Sequence, residues 1–290
     1  MKKLTKLLVL MAVLALLAAA CSDDATTATE EEPAVGPARI VSIDPSGTEI
    51  IYAIGAGDRV VAVDDFSYYP EGTPVTGLSA FSPNVEAILT YEPDLVVMGF
   101  NEEVQAGLEA AGVTVVNSFA PATFDELYAQ FATIAAVTGN DDQAATVVAE
   151  MQTAIDSAIA GAPDATGISF YHELDDTLYS VTSSTFIGAV YGLFGLANAA
   201  DPADADGSSF GYPQLNDEYL VDADPDLIFL GDTICCGVSA ETLADRPGWD
   251  QLRAVQSGNV VELNDDVVSR WGPRIVEFVE SIAAALDGIG

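Results

Sequence analysis

VEAILTYEPDLVVMG (85–99) aligns without gaps to DEYLVDADPDLIFLG (217–231), at an offset of 132 residues. Five of the fifteen positions are identical, among them Glu86/Glu218, Pro93/Pro225 and Asp94/Asp226. Each copy reads as a short helix, a Pro-Asp turn and a buried strand. Each is followed by a further strand, VTVVNSF (113–119) after the first and NVVELND (259–265) after the second. The same unit twice, in the same order, predicts two related lobes.

Outward from these copies, short β-branched runs alternate with helical segments. Strands are expected at Arg39–Ile43, Val60–Val63, Asp94–Met98, Thr114–Val116, Gly167–His172, Leu178–Val181, Asp226–Leu230 and Val260–Leu263. Helical segments are expected at Glu49–Ile54, Glu102–Ala111 and Phe124–Val137. Strands separated by helices predict an α/β fold with parallel sheets covered on both faces. Between the halves, Val148, Met151, Ile155 and Ile159 recur at helical spacing, with no Gly or Pro in 141–160. A helix of that length spans about 30 Å, roughly a domain diameter. The expected organisation is an N-terminal lobe at 38–139, a stiff bridging helix at 140–161 and a C-terminal lobe at 165–290.

The N-terminus reads as a targeting device. Lys2, Lys3 and Lys6 precede the 14-residue apolar run LLVLMAVLALLAAA (7–20). That is short of the roughly 20 residues a membrane span needs and suits a signal peptide. Ala18-Ala19-Ala20-Cys21 with Leu17 resembles a bacterial lipobox, with the leucine one position farther from the cysteine than usual. The expectation is a lipoprotein signal at 1–20 and lipid on Cys21, followed by a flexible acidic tether at 21–37. The chain is then exported and held at the outer face of the cytoplasmic membrane, or periplasmic. Plain secretion, with Cys21 a bystander, is the alternative.

Charge excludes one class of function. From residue 21 onward there are six arginines and no lysine against 45 acids, a formal −39. Such a surface repels phosphate backbones, so nucleic-acid binding is not expected. Half the residues are hydrophobic, enough for real cores. The acidity favours solubility and fits a saline exterior.

Four segments carry a more specific resemblance: RIVSIDPSGTEIIYAIGAGDRVVAVDDFSYYP (39–70), PNVEAILTYEPDLVV (83–97), YPQLNDEYLVDADPDLIFL (212–230) and SRWGPRIVEF (269–278). They resemble the substrate-binding proteins of ABC importers for vitamin B12, iron-siderophores and haem. The resemblance spans residues 38–287. It implies two Rossmann-like lobes joined by one rigid helix, with ligand held in the cleft between them. It also implies that one glutamate per lobe docks on arginines of the permease. The matching positions are Glu86 and Glu218, the pair that the internal repeat singles out. A two-fold permease met by two related lobes makes that coincidence sensible. Without the resemblance, both are acids favoured at helix N-termini by the macrodipole. The implied partners are a permease and its ATPase, with the receptor itself a monomer that needs no cofactor.

In open α/β sheets, ligands lie beyond the carboxyl ends of the strands. That rule nominates the loops 44–47, 66–69, 81–82, 100–101, 172–173, 183–184, 210–212, 232–236 and 270–271. The candidate ligand-binding residues among them are Ser46, Tyr69, Phe81, Phe100, His172, Tyr212, Arg270 and Trp271. Tyr69, Phe81 and Trp271 fall where the resembled family places ligand-facing side chains. Aromatic walls suit a corrin, a porphyrin or a hydroxamate chelate. The one cation in the set is Arg270, with Arg274 nearby. This scarcity argues against catecholate and citrate complexes and favours a corrinoid, such as cobalamin, or a neutral ferric hydroxamate. Haem is the alternative within the family, with His172 or a tyrosine as iron ligand. A single histidine in the chain makes a receptor for bare zinc or manganese unexpected. Cys235 and Cys236 stand side by side, as a vicinal disulfide, as free buried thiols or as metal or iron ligands.

The competing class is an exported α/β hydrolase. The chain has no Gly-x-Ser-x-Gly elbow, Walker loop, HExxH or dinucleotide Gly-x-Gly-x-x-Gly. No enzymatic activity is therefore expected. A lipid-anchored structural protein gives no reason for the paired glutamate helices.

Overall fold

The structure is a computed structural model describing residues 36–289. The expected signal peptide, Cys21 and almost all of the expected tether lie outside the described residues.

The first lobe contains β1 (Ile40–Ile43), α1 (Pro45–Ala53), β2 (Val60–Asp64), β3 (Val75–Leu78), α2 (Val85–Leu89), β4 (Leu95–Gly99), α3 (Glu102–Ala110), β5 (Thr114–Ser118) and α4 (Phe124–Thr138). Its five strands are parallel, in the order β3-β2-β1-β4-β5. The helix α5 (Asp141–Gly161) leads to the second lobe. There follow β6 (Ser169–Glu173), α6 (Phe186–Gly192), β7 (Ala197–Asn198), α7 (Asp217–Ala223), β8 (Leu227–Leu230), α8 (Ala240–Leu243), α9 (Arg253–Ser257), β9 (Val260–Glu262), α10 (Asp265–Val268) and α11 (Ile275–Asp287). This sheet is also parallel, in the order β7-β6-β8-β9. The expected α/β class with parallel sheets in two lobes is what the chain adopts.

Strand composition explains the layering. IVSI in β1, LVVMG in β4 and LIFL in β8 are apolar on both faces, and nearly every side chain in them is buried. Such strands need helices on both sides. One core runs from Ile50 and Phe131 through Met151 and Ile155 of α5 to Phe229 and Phe278. Each of these buried side chains contributes on the order of 1.5–3 kcal/mol. Separate clusters cover the other face of each sheet, around Val96 and Leu108 in the first lobe and Ile228 and Trp249 in the second. The bridging helix buries Met151 and Ile155, and half-buries Val148 and Ile159, in the shared core.

The 132-residue repeat extends to individual hydrogen bonds. Asn84 and Asn216 both cap their helices, accepting from Ala87 N at 2.8 Å and Tyr219 N at 2.9 Å. Glu92 and Asp224 both turn the chain at positive φ, 49° and 42°. Asp94 N donates to Arg39 O at 2.9 Å, and Asp226 N to Ser169 O at 3.1 Å, as each strand enters its sheet.

One expected strand is absent. Leu178–Val181 makes only the single antiparallel bridge Tyr179–Gln214. Leu178 sits at φ 66°, which breaks the extended backbone before pairing can spread. Two edge strands, β3 and β7, were not expected.

The lobes are tied by charge as well as by core packing. Glu49 of α1 is buried and accepts from Arg274 Nε at 2.9 Å and Nη2 at 2.5 Å, with Arg270 Nη1 at 3.4 Å. Trp271 N donates to Ser46 Oγ at 3.2 Å, and Arg270 Nη2 to Phe66 O at 3.0 Å. Phe124 of the first lobe contacts Phe186 of the second, with ring centroids 5.2 Å apart.

Candidate ligand-binding cleft

Parallel strands bring all their carboxyl ends to one edge of each sheet, and the site is built there. Asp44 follows β1, and its carboxylate accepts from Gly47 N at 2.5 Å, capping α1. Burial pushes this carboxyl above its usual range. Asp64 ends β2 and accepts from Phe66 N at 2.7 Å and Ser67 N at 3.0 Å, which fixes the turn carrying Phe66.

The exposed large apolar side chains follow the same edge. In the first lobe they are Phe66, Tyr68, Tyr69, Phe81, Phe100 and Phe119; in the second, Tyr179, Phe210, Tyr212 and Ile234. All but Phe210 and Tyr212, which follow β7 and a 3-10 turn at Asp201–Asp204, lie on the loop directly after a strand; among the described residues the one exposed large apolar side chain elsewhere is Val75, at the start of β3. Phe66 and Phe81 meet edge to face at 5.5 Å, and Phe100 lies 6.1 Å from Phe119. Exposing so much aromatic surface at one edge is unfavourable in water unless something covers it. A cavity of about 420 Å³ opens between the lobes, lined by Asp44, Ser46, Phe66 and Phe81 on one side and Asp266, Arg270 and Trp271 on the other.

The cleft offers no free cation among the described residues. Arg270 is held by Asp266 at 2.6 Å and by Glu49, and Arg274 by Glu49. Arg274 also lies over the ring of Tyr69 at 4.0 Å, and Arg270 over Tyr68 at 5.1 Å. Arg246 makes a bidentate pair with the buried Glu173, both contacts at 2.6 Å. Arg253 pairs with Asp224 and Asp226. Arg39 and Arg59 donate to backbone carbonyls far from the cleft. All six arginines are thus engaged.

The expected site residues divide. Tyr69, Phe81, Phe100 and Tyr212 are exposed at the strand ends, and Trp271 is half-buried in the cavity wall. Ser46 lines the cavity while tying the lobes through its hydroxyl. Arg270 is a nearly buried cross-lobe tie rather than an open cationic contact.

His172 is corrected. It is fully buried, its Nδ1 lies 2.8 Å from Tyr191 Oη, and burial pushes its pKa down to about 3. A neutral imidazole sealed beneath the sheet edge does not reach a ligand. Beside it, Asp232 is fully buried with no hydrogen-bond partner for either carboxyl oxygen. Burial, then the adjacent negative charge of Glu173, pushes this carboxyl up to about 7.

Cys235 and Cys236 are exposed on the loop after β8, with their sulfurs at bonding distance. Asp265 holds that loop, accepting from Ile234 N at 3.0 Å and Cys235 N at 2.7 Å. Glu86 and Glu218 are exposed in the first turns of α2 and α7, equivalent places in the two lobes. Neither carboxylate has an ion-pair partner among the described residues. Among the described residues no group of three or more His, Cys, Asp or Glu gathers to hold a metal ion.

Phe119, Tyr179 and Glu49, with Asp266 of the cavity wall, are not among the residues nominated from the sequence. Phe119 follows a strand that runs two residues longer than expected. Tyr179 lies in the segment read as a strand. Glu49 looks like a surface acid until its arginine partners, far along the chain, are brought beside it.

Comparison with known proteins agrees with this geometry. A family model described as periplasmic binding protein matches residues 40–267. YvrC of Bacillus subtilis, an ABC transporter substrate-binding lipoprotein, is 31% identical over 86% of this chain and 80% of its own length. A cobalamin-binding protein of Halobacterium salinarum is 33% identical over 86% of this chain and 69% of its own. The structure of the vitamin B12 binding protein BtuF of Vibrio cholerae superposes with a TM-score of 0.69 at 26% identity, covering 87% of this chain and 97% of that one. The haem-binding HutB of the same organism reaches 0.74 at 23% identity over 86% and 98% of the two chains, a likeness of fold. The chain belongs to the periplasmic binding protein family, among the substrate-binding proteins, not enzymes, of ABC importers.

Proposed function

We propose that the protein is a lipid-anchored receptor that captures a corrinoid of the cobalamin type in the inter-lobe cleft and presents it to an ABC permease. One observation carries the choice of ligand: an edge lined with exposed aromatics where every arginine is already paired. Such a wall suits a large ligand with apolar faces and little negative charge. A ferric catecholate or the propionates of haem need cations that this cleft has committed elsewhere. The name of the Halobacterium relative supports the same ligand. A neutral ferric hydroxamate meets the electrostatic condition equally and is the second reading.

In this proposal Tyr69, Phe81, Phe100, Tyr212 and Trp271 contact the ligand. Glu86 and Glu218 dock on arginines of the permease, and Cys21 carries the lipid. The lobes are 38–139 and 165–290, with 140–161 as the strut. The receptor acts as a monomer, and its partners are the permease and its ATPase.

The test is a tryptophan-fluorescence titration of the chain from Ser22 onward against cyanocobalamin, cobinamide, a ferric hydroxamate, a ferric catecholate and haemin. Saturable quenching by the corrinoids alone is the expected result. A response confined to catecholate or haemin contradicts the proposal.

A further inference from the structure

Phe210 is the most exposed large apolar residue described, 88% accessible, and its backbone sits at φ 53°. A phenylalanine in the left-handed region is unusual, and it persists only where surrounding structure imposes it. The imposing group is Asp204. This carboxylate is nearly buried, 8% accessible. Its Oδ1 accepts from Ser209 N at 2.7 Å and its Oδ2 from Gly211 N at 2.7 Å, the two residues flanking Phe210. One acid thus clamps the tip from both sides and holds a greasy ring out into water.

The tip packs on the segment that starts the helix facing the other lobe. Thr182 N donates to Gly211 O at 2.8 Å. A Cβ on Gly211 would come within 2.6 Å of Thr185 Cγ2, so the loop is seated directly on the segment that starts α6. The first residue of α6, Phe186, is the one that meets Phe124 of the other lobe. Tyr212, two residues on, is exposed as well. No aromatic partner within the described residues covers Phe210.

We infer that Phe210 is a ligand-contacting side chain of the cleft and that Asp204 is the residue that positions it. The inference rests on the corrinoid reading above. A ring fixed before binding loses little freedom when ligand arrives, so its contact area converts efficiently into affinity. Asp204 never touches the ligand; it acts through the backbone of Phe210.

The test is a double-mutant cycle read by calorimetric titration with cyanocobalamin. Phe210→Ala is expected to weaken binding about 10-fold, the loss typical of a buried aromatic anchor. Asp204→Asn keeps one acceptor and loses the other, and is expected to weaken binding about 3- to 5-fold by loosening the tip. In the Phe210→Ala background Asp204→Asn should add nothing, because it has no ring left to position. Circular-dichroism melting of each variant checks that the fold is retained. Affinity of Phe210→Ala within 2-fold of wild type overturns the inference, also if transport falls, since Phe210 then serves the permease. An Asp204→Asn loss that persists unchanged without Phe210 overturns the positioning role. If wild type itself binds no cyanocobalamin, the ligand reading has failed and takes this inference with it.

Discussion

Glu49 on the first lobe and Arg274 on the second form a buried, two-contact ion pair, 2.9 and 2.5 Å, across 225 residues of sequence. Arg270 approaches the same carboxylate at 3.4 Å. With the shared core around α5, the pair fixes the lobe separation that shapes the cleft. Removing one partner of a buried pair strands the other charge, at a cost of about 3–5 kcal/mol. Arg274→Met is therefore expected to lower the melting temperature by more than 5 °C, at about 2–4 °C per kcal/mol for a chain of this size. A melting temperature unchanged within error contradicts the tie.

The same restraint predicts little closure on binding. Small-angle scattering with and without a saturating ligand should give nearly superposable profiles. A large contraction shows that the lobes hinge, and that the α5 strut and the Glu49 cluster do not hold them.

Glu86 and Glu218 stand outside the cleft on equivalent helices without intramolecular ion pairs. The Glu86→Ala, Glu218→Ala double variant should bind ligand as wild type does while transport in reconstituted vesicles falls at least 10-fold, a loss equivalent to about 1.4 kcal/mol. Weakened ligand binding assigns these residues to the cleft instead.

Asp232 sets a pH dependence. Its folded pKa of about 7 exceeds the ordinary 3.8, so the folded chain keeps a proton that the unfolded chain releases. Stability from this group is full below about pH 4 and is lost as pH rises to about 7. Asp232→Asn, which cannot ionise, should melt above wild type at pH 8, with the difference vanishing towards pH 4. Equal differences at both pH values contradict the assignment.

Beyond residue 21 the acids outnumber the arginines 45 to six. Self-repulsion on this scale is screened by salt, whose Debye length falls from about 10 Å at 0.1 M to about 3 Å at 1 M. The melting temperature should rise steadily over that range of NaCl. A flat response places the charges too far apart to matter.

Much of this was legible in the chain. The apolar runs 95–99 and 227–230 announce buried parallel strands, and the repeat that carries them announces two lobes. The edge strands β3 and β7 were not legible: VTGL (75–78) holds a glycine, and Ala197–Asn198 is two residues long, so neither shows a period. Leu178–Val181 shows the reverse error, a strand-like run whose pairing stops at the single Tyr179–Gln214 bridge. Aromatics at the cleft were legible because topology alone sends strand-end loops to one edge. Glu49 and His172 were not, because burial of a polar side chain is decided by neighbours distant in sequence. His172 pairs in register with Phe229 and meets Tyr191, neither of which its own segment reveals.

The most direct measurement is calorimetric titration of the folded chain from Ser22 onward with cyanocobalamin, in parallel with a ferric catecholate. The account predicts submicromolar one-to-one binding of cyanocobalamin and no heat from the catecholate. Catecholate binding tighter than the corrinoid, or silence from cyanocobalamin, would contradict a cation-poor aromatic cleft built for a corrinoid.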